Sequence, residues 1–204
     1  MNLEYVFIAI VALLQGGILY YLFTRKKAKA TTEPEADNKP AAVSAYYIMR
    51  HHALQTIPGA IVALVPEDSW SVYAVLIDWT SEEDTLTLHT QITGETCLYL
   101  HSGGGIIGAG KYPQVALAAQ HFTAFCDNFL AYTKPVTPPS LPPIGNVHIT
   151  LLTNKGKFTA TALIDDLESG ASVWKIVFEE TKKLVYLMKE CAAHALTIPP
   201  LNLN

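Results

Sequence analysis

The sequence has little cysteine and no motif that pairs it. Its 204 residues contain 3 cysteines, Cys97, Cys126 and Cys191, and none belongs to a Cys-x-x-Cys motif. An odd number of widely spaced cysteines argues against a regular disulfide framework and suits a reducing compartment. We therefore predict that the three thiols are small core residues.

Charged residues are also sparse. Asp, Glu, Lys and Arg make up 16% of the chain and the formal net charge is -4, whereas globular proteins typically contain about 25% charged residues. Outside residues 25–29 the basic side chains are scattered, so the sequence lacks the concentrated positive charge that attracts a phosphate backbone. We exclude nucleic acid as a partner.

The sequence contains no recognisable catalytic or metal-binding motif. It has neither a Gly-x-Ser-x-Gly elbow nor His-Glu-x-x-His, and its 7 histidines are not spaced as zinc ligands. Cys97 and His101 share one face of a predicted strand, but about 3.3 Å per residue separates them by about 13 Å. That distance excludes a direct nucleophile–base pair. We predict no enzyme activity, no catalytic residue, no metal site and no cofactor.

An apolar segment near the N-terminus predicts a membrane span. The 19 residues from Tyr5 to Phe23, YVFIAIVALLQGGILYYLF, carry no charge. As a helix they extend about 28 Å, close to the hydrocarbon thickness of a bilayer. A signal peptide cleaved after Ala28-Lys29-Ala30 is the alternative, but the first residues contain Glu4 and no basic side chain, and the apolar run is long for a signal peptide. We predict a transmembrane signal-anchor helix at 1–24.

The orientation follows from a basic cluster directly after this span. The cluster consists of Arg25, Lys26, Lys27 and Lys29. The positive-inside bias places such residues in the cytoplasm. We predict a single-pass protein of the inner (plasma) membrane with its N-terminus outside and its C-terminal domain in the cytoplasm.

The rest of the chain divides into a linker, one domain and a tail. Residues 25–43 combine the basic cluster with a segment that is rich in Ala, Thr, Pro, Glu and Lys and lacks large apolar side chains. Such a composition predicts a flexible linker. Residues 44–195 have the length of one soluble domain, and 196–204 form a C-terminal tail.

The hydrophobic pattern of residues 44–195 predicts an α+β domain. A short helix at 45–54 precedes three strands within 72–101, an amphipathic helix at 113–131, a hairpin at 147–163 and a last helix at 171–192. The expected order is α-βββ-α-ββ-α, an antiparallel sheet of about five strands packed by two to three helices. Phe122 and Trp174 lie on the apolar helix stripes, so we predict that both are buried.

A proline-rich segment, KPVTPPSLPPIG at 134–145, joins the second helix to the hairpin. Prolines keep such a segment extended. We interpret it as a stiff connector, with a displayed polyproline II ligand as the alternative.

The segment HSGGGIIGAGKY is the most distinctive part of the sequence. It has the spacing Gly103-x-Gly105-x-x-Gly108 and, with Gly110 and Lys111, also resembles a phosphate-binding loop between a strand and a helix. However, the preceding strands are predicted to be antiparallel, and Tyr112 replaces the Ser or Thr that a P-loop requires. We interpret the loop as a structural turn, with an anion-binding site as the alternative.

The same region resembles an uncharacterised bacterial protein family. The resemblance lies in Leu98-Tyr99 followed by Ser102-Gly103-Gly104-Gly105-Ile106-Ile107-Gly108, then a helix, then Leu141-Pro142-Pro143 with Gly145-Asn146-Val147. With the upstream Val75–Asp78 strand, the likeness covers about half of the chain. It implies a bacterial source and a coherent domain, and it brings no family activity with it.

These observations together favour a binding protein. We expect a membrane-anchored bacterial protein whose cytoplasmic, non-enzymatic domain binds another macromolecule, as a regulator, scaffold or immunity-type protein. The bilayer and a second protein are the expected partners. The alternative is a small-ligand module that binds a nucleotide or a phosphorylated metabolite at Gly103, Gly105, Gly108, Gly110 and Lys111.

Overall fold

The computed structural model describes residues 45–57, 69–136 and 139–197, without the side chains of 194–197. The predicted span, its basic cluster, the linker and the last residues of the predicted tail lie outside the described residues. Among the described residues, no helix combines the length and the apolar character needed to cross a bilayer.

The centre of the domain is one antiparallel sheet, so the predicted α+β class is confirmed. Its order is β4-β3-β2-β1-β6-β7-β5. The strands are β1 (Val72–Thr80), β2 (Thr85–Gln91), β3 (Thr96–Leu100), β4 (Gly105–Ile106), β5 (Lys134–Pro135), β6 (Asn146–Thr153) and β7 (Gly156–Leu163).

The described residues form seven strands rather than the predicted five. The two additional strands, β4 and β5, contain two residues each and form the edges of the sheet. A run of two residues has no measurable alternation, which explains why the pattern did not reveal them. Pro135 in β5 is compatible with an edge position, because proline has no N–H to donate to a neighbouring strand.

The middle strand of the sheet is β1. β1 pairs with β2 on one side and with β6 on the other, and its first eight residues are all buried. Such a strand reads as a continuous apolar run because both of its faces are covered. The hairpin predicted at 147–163 is confirmed as β6 and β7, which pair from Asn146 with Leu163 to Thr153 with Gly156.

Four α-helices lie within the described ranges: α1 (Ala45–Gln55), α2 (Pro113–Cys126), α3 (Ile164–Ser169) and α4 (Lys175–Thr197). The helix predicted at 113–131 is α-helical to Cys126 and continues as a 3-10 helix over Asp127–Tyr132. The short helix α3 was not predicted, and α4 begins later than the predicted start at 171. Gly170, with φ 88°, ends α3 in the left-handed conformation and separates the two helices.

Helices cover both faces of the sheet. On one face, α2 contacts the sheet through the hydroxyls of Thr123 and Thr90, 3.0 Å apart, and α4 through the rings of Phe178 and Trp79. The predicted burial of Phe122 and Trp174 is confirmed. All three cysteines are also buried, as predicted.

The opposite face is covered by α1. Its inner residues pack with the side chains of β1, β3 and β6 in one cluster. The cluster contains Tyr46, Ala53, Leu54, Tyr73, Ala74, Leu76, Cys97, Tyr99 and Leu152. Within the described residues, α1 and Leu141 of the proline-rich segment pack on this face, on which several polar side chains are buried.

Candidate functional site

The glycine-rich segment forms a hairpin turn and does not lead directly into a helix. Gly103, Gly104, Gly105 and Gly108 all have positive φ, a conformation in which glycine is favoured. Gly105 belongs to β4 and lies so close to β3 that a Cβ atom there would overlap the carbonyl oxygen of Leu98. A 3-10 helix over Ala109–Lys111 separates this turn from α2. The turn and the close strand pairing give these glycines a structural role.

Part of the loop's hydrogen-bonding capacity is used within the chain. The amide of Gly103 donates to the carbonyl of Leu100 at 3.0 Å, and the amide of Gly108 donates to the Cys97 thiol at 3.3 Å. The ammonium of Lys111 lies 5.0 Å from the ring centre of the tyrosine that follows it. These contacts reduce the number of donors that could face an anion. The anion-binding alternative at this loop stays a prediction.

A groove of about 440 Å³ lies between α2 and α4. The side chains from α2 that line it are Ala118, His121, Phe122 and Phe125. Those from α4 are Ile176, Glu180, Lys183, Leu184 and Leu187. The two helices run antiparallel. Gln114 at the start of α2 contacts Cys191 near the end of α4, and the ring of Phe129, just after α2, packs against that of Trp174, just before α4.

The two walls of this groove differ in charge. None of the 14 residues of α2, PQVALAAQHFTAFC, is Asp, Glu, Lys or Arg, and Leu117 on its outer side is 53% exposed. On α4, Lys183 forms an ion pair with Glu180 at 2.7 Å, and the two side chains are 61% and 41% exposed, respectively. Ile176 on the same wall is half exposed. The groove therefore has an apolar floor and one charged rim.

A buried ion pair joins α1 to the central strand β1. This pair was not predicted from the sequence. Arg50 donates to both carboxylate oxygens of Asp78, at 3.0 and 2.6 Å. Arg50 also donates to the carbonyl oxygens of Pro139 and Ser140 at 3.2 to 3.3 Å. The signal available in the sequence was Asp78 itself, a carboxylate within the otherwise apolar run VYAVLIDW.

These contacts also explain the proline-rich segment. Besides Arg50, His148 bonds to the carbonyl oxygen of Ser140 at 3.1 Å through Nδ1. Pro139 is buried. The described part of the segment is therefore fixed to the domain, which favours the stiff connector over a displayed ligand.

The ion pair belongs to a hydrogen-bonded chain beneath α1. The Thr87 hydroxyl donates to Asp78 at 2.6 Å, and the Tyr46 hydroxyl lies 2.7 Å from that of Thr87. Burial lowers the pKa of Arg50, but the hydrogen bond and charge of Asp78 outweigh it and raise the pKa overall. Burial raises the pKa of Tyr46 to about 12. Arg50 is thus charged and Tyr46 is neutral at physiological pH.

The same face contains a buried histidine, His89, whose Nε2 atom has no hydrogen-bond partner among the described residues. His89 of β2 lies directly opposite Cys97 of β3, and both are buried. No described residue bonds to Nε2 of His89, and burial lowers its pKa to about 4. The neighbour of Cys97 on this face is therefore His89 of the adjacent strand, which was not predicted from the sequence. The turn at Gly94 joins β2 to β3 and thereby fixes that His89 pairs with Cys97.

The arrangement offers no metal centre in the part of the chain that is described, because no three His, Cys, Asp or Glu side chains come together there.

Comparisons with known proteins identify no relative of this chain. No protein-family model, no curated protein and no solved structure matches the chain. The resemblance to a bacterial family stays a prediction.

Proposed function

We propose that this chain is a membrane-tethered, non-enzymatic binding protein whose cytoplasmic domain holds another macromolecule in the groove between α2 and α4. One observation carries the proposal: an apolar groove is open on the surface beside a helix that carries no charge. The proposed partner presents a helix or segment with apolar side chains to this groove.

The composition of α2 supports this use. The centre of a protein interface is depleted of charged residues, whereas a solvated helix face normally carries them. The outer side of α2 instead presents Leu117, Ala118 and His121 beside the groove. Apolar side chains from both walls, including Phe125 and Ile176, would lose contact with water on binding, which supplies a favourable free energy. The charged rim of α4 would set the orientation of the partner.

The predicted membrane tether fits the same function. A flexible linker of about sixteen residues has a reach of about 20–24 Å. Such a tether raises the effective concentration of any partner at the membrane surface, so that a groove of modest size suffices. The tether itself is a prediction from residues 1–43, and the groove does not depend on it.

Site-specific photocrosslinking in living cells tests this function. A crosslinking amino acid replaces Ile176 in the groove of the full chain. In a control chain it replaces Ile144, which is 63% exposed and does not line the groove. We expect a discrete crosslinked species from position 176 and none, or a different set, from position 144. The same result at both positions, or no product at 176, would contradict the proposal.

A further inference from the structure

The groove wall on α4 carries a regular stripe of side chains. Ile176, Glu180, Lys183 and Leu187 are separated by four, three and four residues, and all four line the groove. This spacing places them on one helix face and is the spacing of a coiled-coil seam. The stripe is apolar at both ends, and its centre holds one acid and one base.

The order of these residues is self-complementary for an antiparallel helix pair. When α4 is laid against an antiparallel copy of itself so that Glu180 faces Lys183 of the copy, the same register places Ile176 opposite Leu187 of the copy. A twofold axis then repeats each contact, because residue i meets residue j and j meets i. Charge and apolar contacts thus agree on one register.

Resting on the proposed function, we propose that the partner in the α2–α4 groove is a second copy of this chain, bound through antiparallel α4 helices with a twofold axis between Glu180 and Lys183. In the single chain, Glu180 and Lys183 pair with each other at 2.7 Å. In the pair of chains, two acids and two bases meet at the centre, so each charge keeps an opposite charge nearby. The uncharged outer side of α2 flanks this contact in each copy.

The length of the stripe predicts a weak interface in dilute solution. From Ile176 to Leu187 the helix rises about 16 Å, and a contact of this size is at the low end of specific protein interfaces. Confinement to a membrane would raise the local concentration and favour pairing. The dimer should therefore depend on protein concentration.

A charge exchange tests the register. Analytical ultracentrifugation of the full chain in mild detergent is expected to detect a monomer–dimer equilibrium. Glu180→Lys or Lys183→Glu places like charges across the axis twice, so each should weaken dimerisation by about tenfold or more. The double variant E180K/K183E restores opposite charges and should recover most of the affinity. Glu179→Lys is the control, since it breaks the Glu179–Lys182 pair, which has the same spacing, outside the stripe.

A disulfide experiment tests the same register without charge changes. Chains carrying Ile176→Cys and Leu187→Cys are mixed and oxidised, and the 3 native cysteines are buried. We expect a crosslink between position 176 of one chain and position 187 of the other. Each variant alone should give little product, because the two copies of either position lie about 16 Å apart along the helix axis, beyond the reach of a disulfide.

The outcomes distinguish a failure of the proposed dimer from a failure of the proposed binding function of the groove. A chain that stays monomeric at every concentration, single exchanges without effect, or equal crosslinking in all pairings would overturn the second copy as partner. If the crosslinker at Ile176 still captures a different polypeptide, the binding function stands and the dimer alone fails. If that position captures nothing, both fail.

Discussion

The buried ion pair between Arg50 and Asp78 gives a stability prediction that can be worked from the structure. Asp78 is fully buried, and it receives two hydrogen bonds from Arg50 and one from Thr87. Asp78→Ala leaves the guanidinium buried with the carbonyl oxygens of Pro139 and Ser140 as its remaining partners. Removing one member of a buried pair typically costs about 3–5 kcal/mol, because the other charge stays without compensation. We expect a loss of that size in the free energy of unfolding.

A second variant separates this explanation from a simple packing defect. Arg50→Met combined with Asp78→Val removes both charges at a similar total side-chain volume, and such replacements of buried pairs are often neutral. Urea unfolding of residues 44–197, followed by circular dichroism, provides the free energies of Asp78→Ala, of Arg50→Met and Asp78→Val singly, and of the double variant. The double variant should be clearly more stable than Asp78→Ala. A cost below about 1 kcal/mol for Asp78→Ala, or additive losses in the double variant, would refute the reasoning.

Three further predictions concern the histidine, the glycine turn and the topology. His89 has a folded pKa of about 4, below its usual value of about 6.5, so its stabilising contribution is complete above pH 6.5 and is lost as the pH falls toward 4. The total loss in the free energy of unfolding is about 3 kcal/mol. His89→Gln should therefore reduce the change of this free energy with pH in this window. Gly105→Ala should lower the melting temperature because its Cβ meets the Leu98 carbonyl, whereas Lys111→Ala should not; a nucleotide-dependent rise in melting temperature that Lys111→Ala abolishes would instead support the ligand alternative. Protease added to intact spheroplasts should leave the C-terminal domain uncut, and its removal would reverse the predicted orientation.

The parts of the fold that could be predicted from the sequence are those with a distinct local pattern. β1 is a long apolar run, β6 and β7 surround a short turn, and α2 begins at Pro113, a favoured first residue of a helix. The short elements were not predicted because they contain too few residues to show such a pattern. α3 spans 6 residues, less than two helical turns, so its pattern gives no usable period.

The candidate sites were harder to predict because they join residues that are distant in sequence. Arg50 and Asp78 are 28 positions apart, and their contact depends on how α1 crosses the sheet. The groove also requires the antiparallel packing of α2 on α4, which no local pattern determines. In contrast, His89 opposite Cys97 could have been derived by counting back from the β2–β3 turn, since a hairpin fixes its cross-strand neighbours.

Hydrogen–deuterium exchange tests most directly whether the groove is a binding surface. The exchange rates of the full chain in membranes, where the predicted tether would hold it, are compared with those of residues 44–197 at high dilution. We predict slower exchange in the membrane-bound chain over α2 (Pro113–Cys126) and the first half of α4, next to the groove. Equal rates in both states, or slower exchange confined to the loop from Gly103 to Gly110, would contradict the claim.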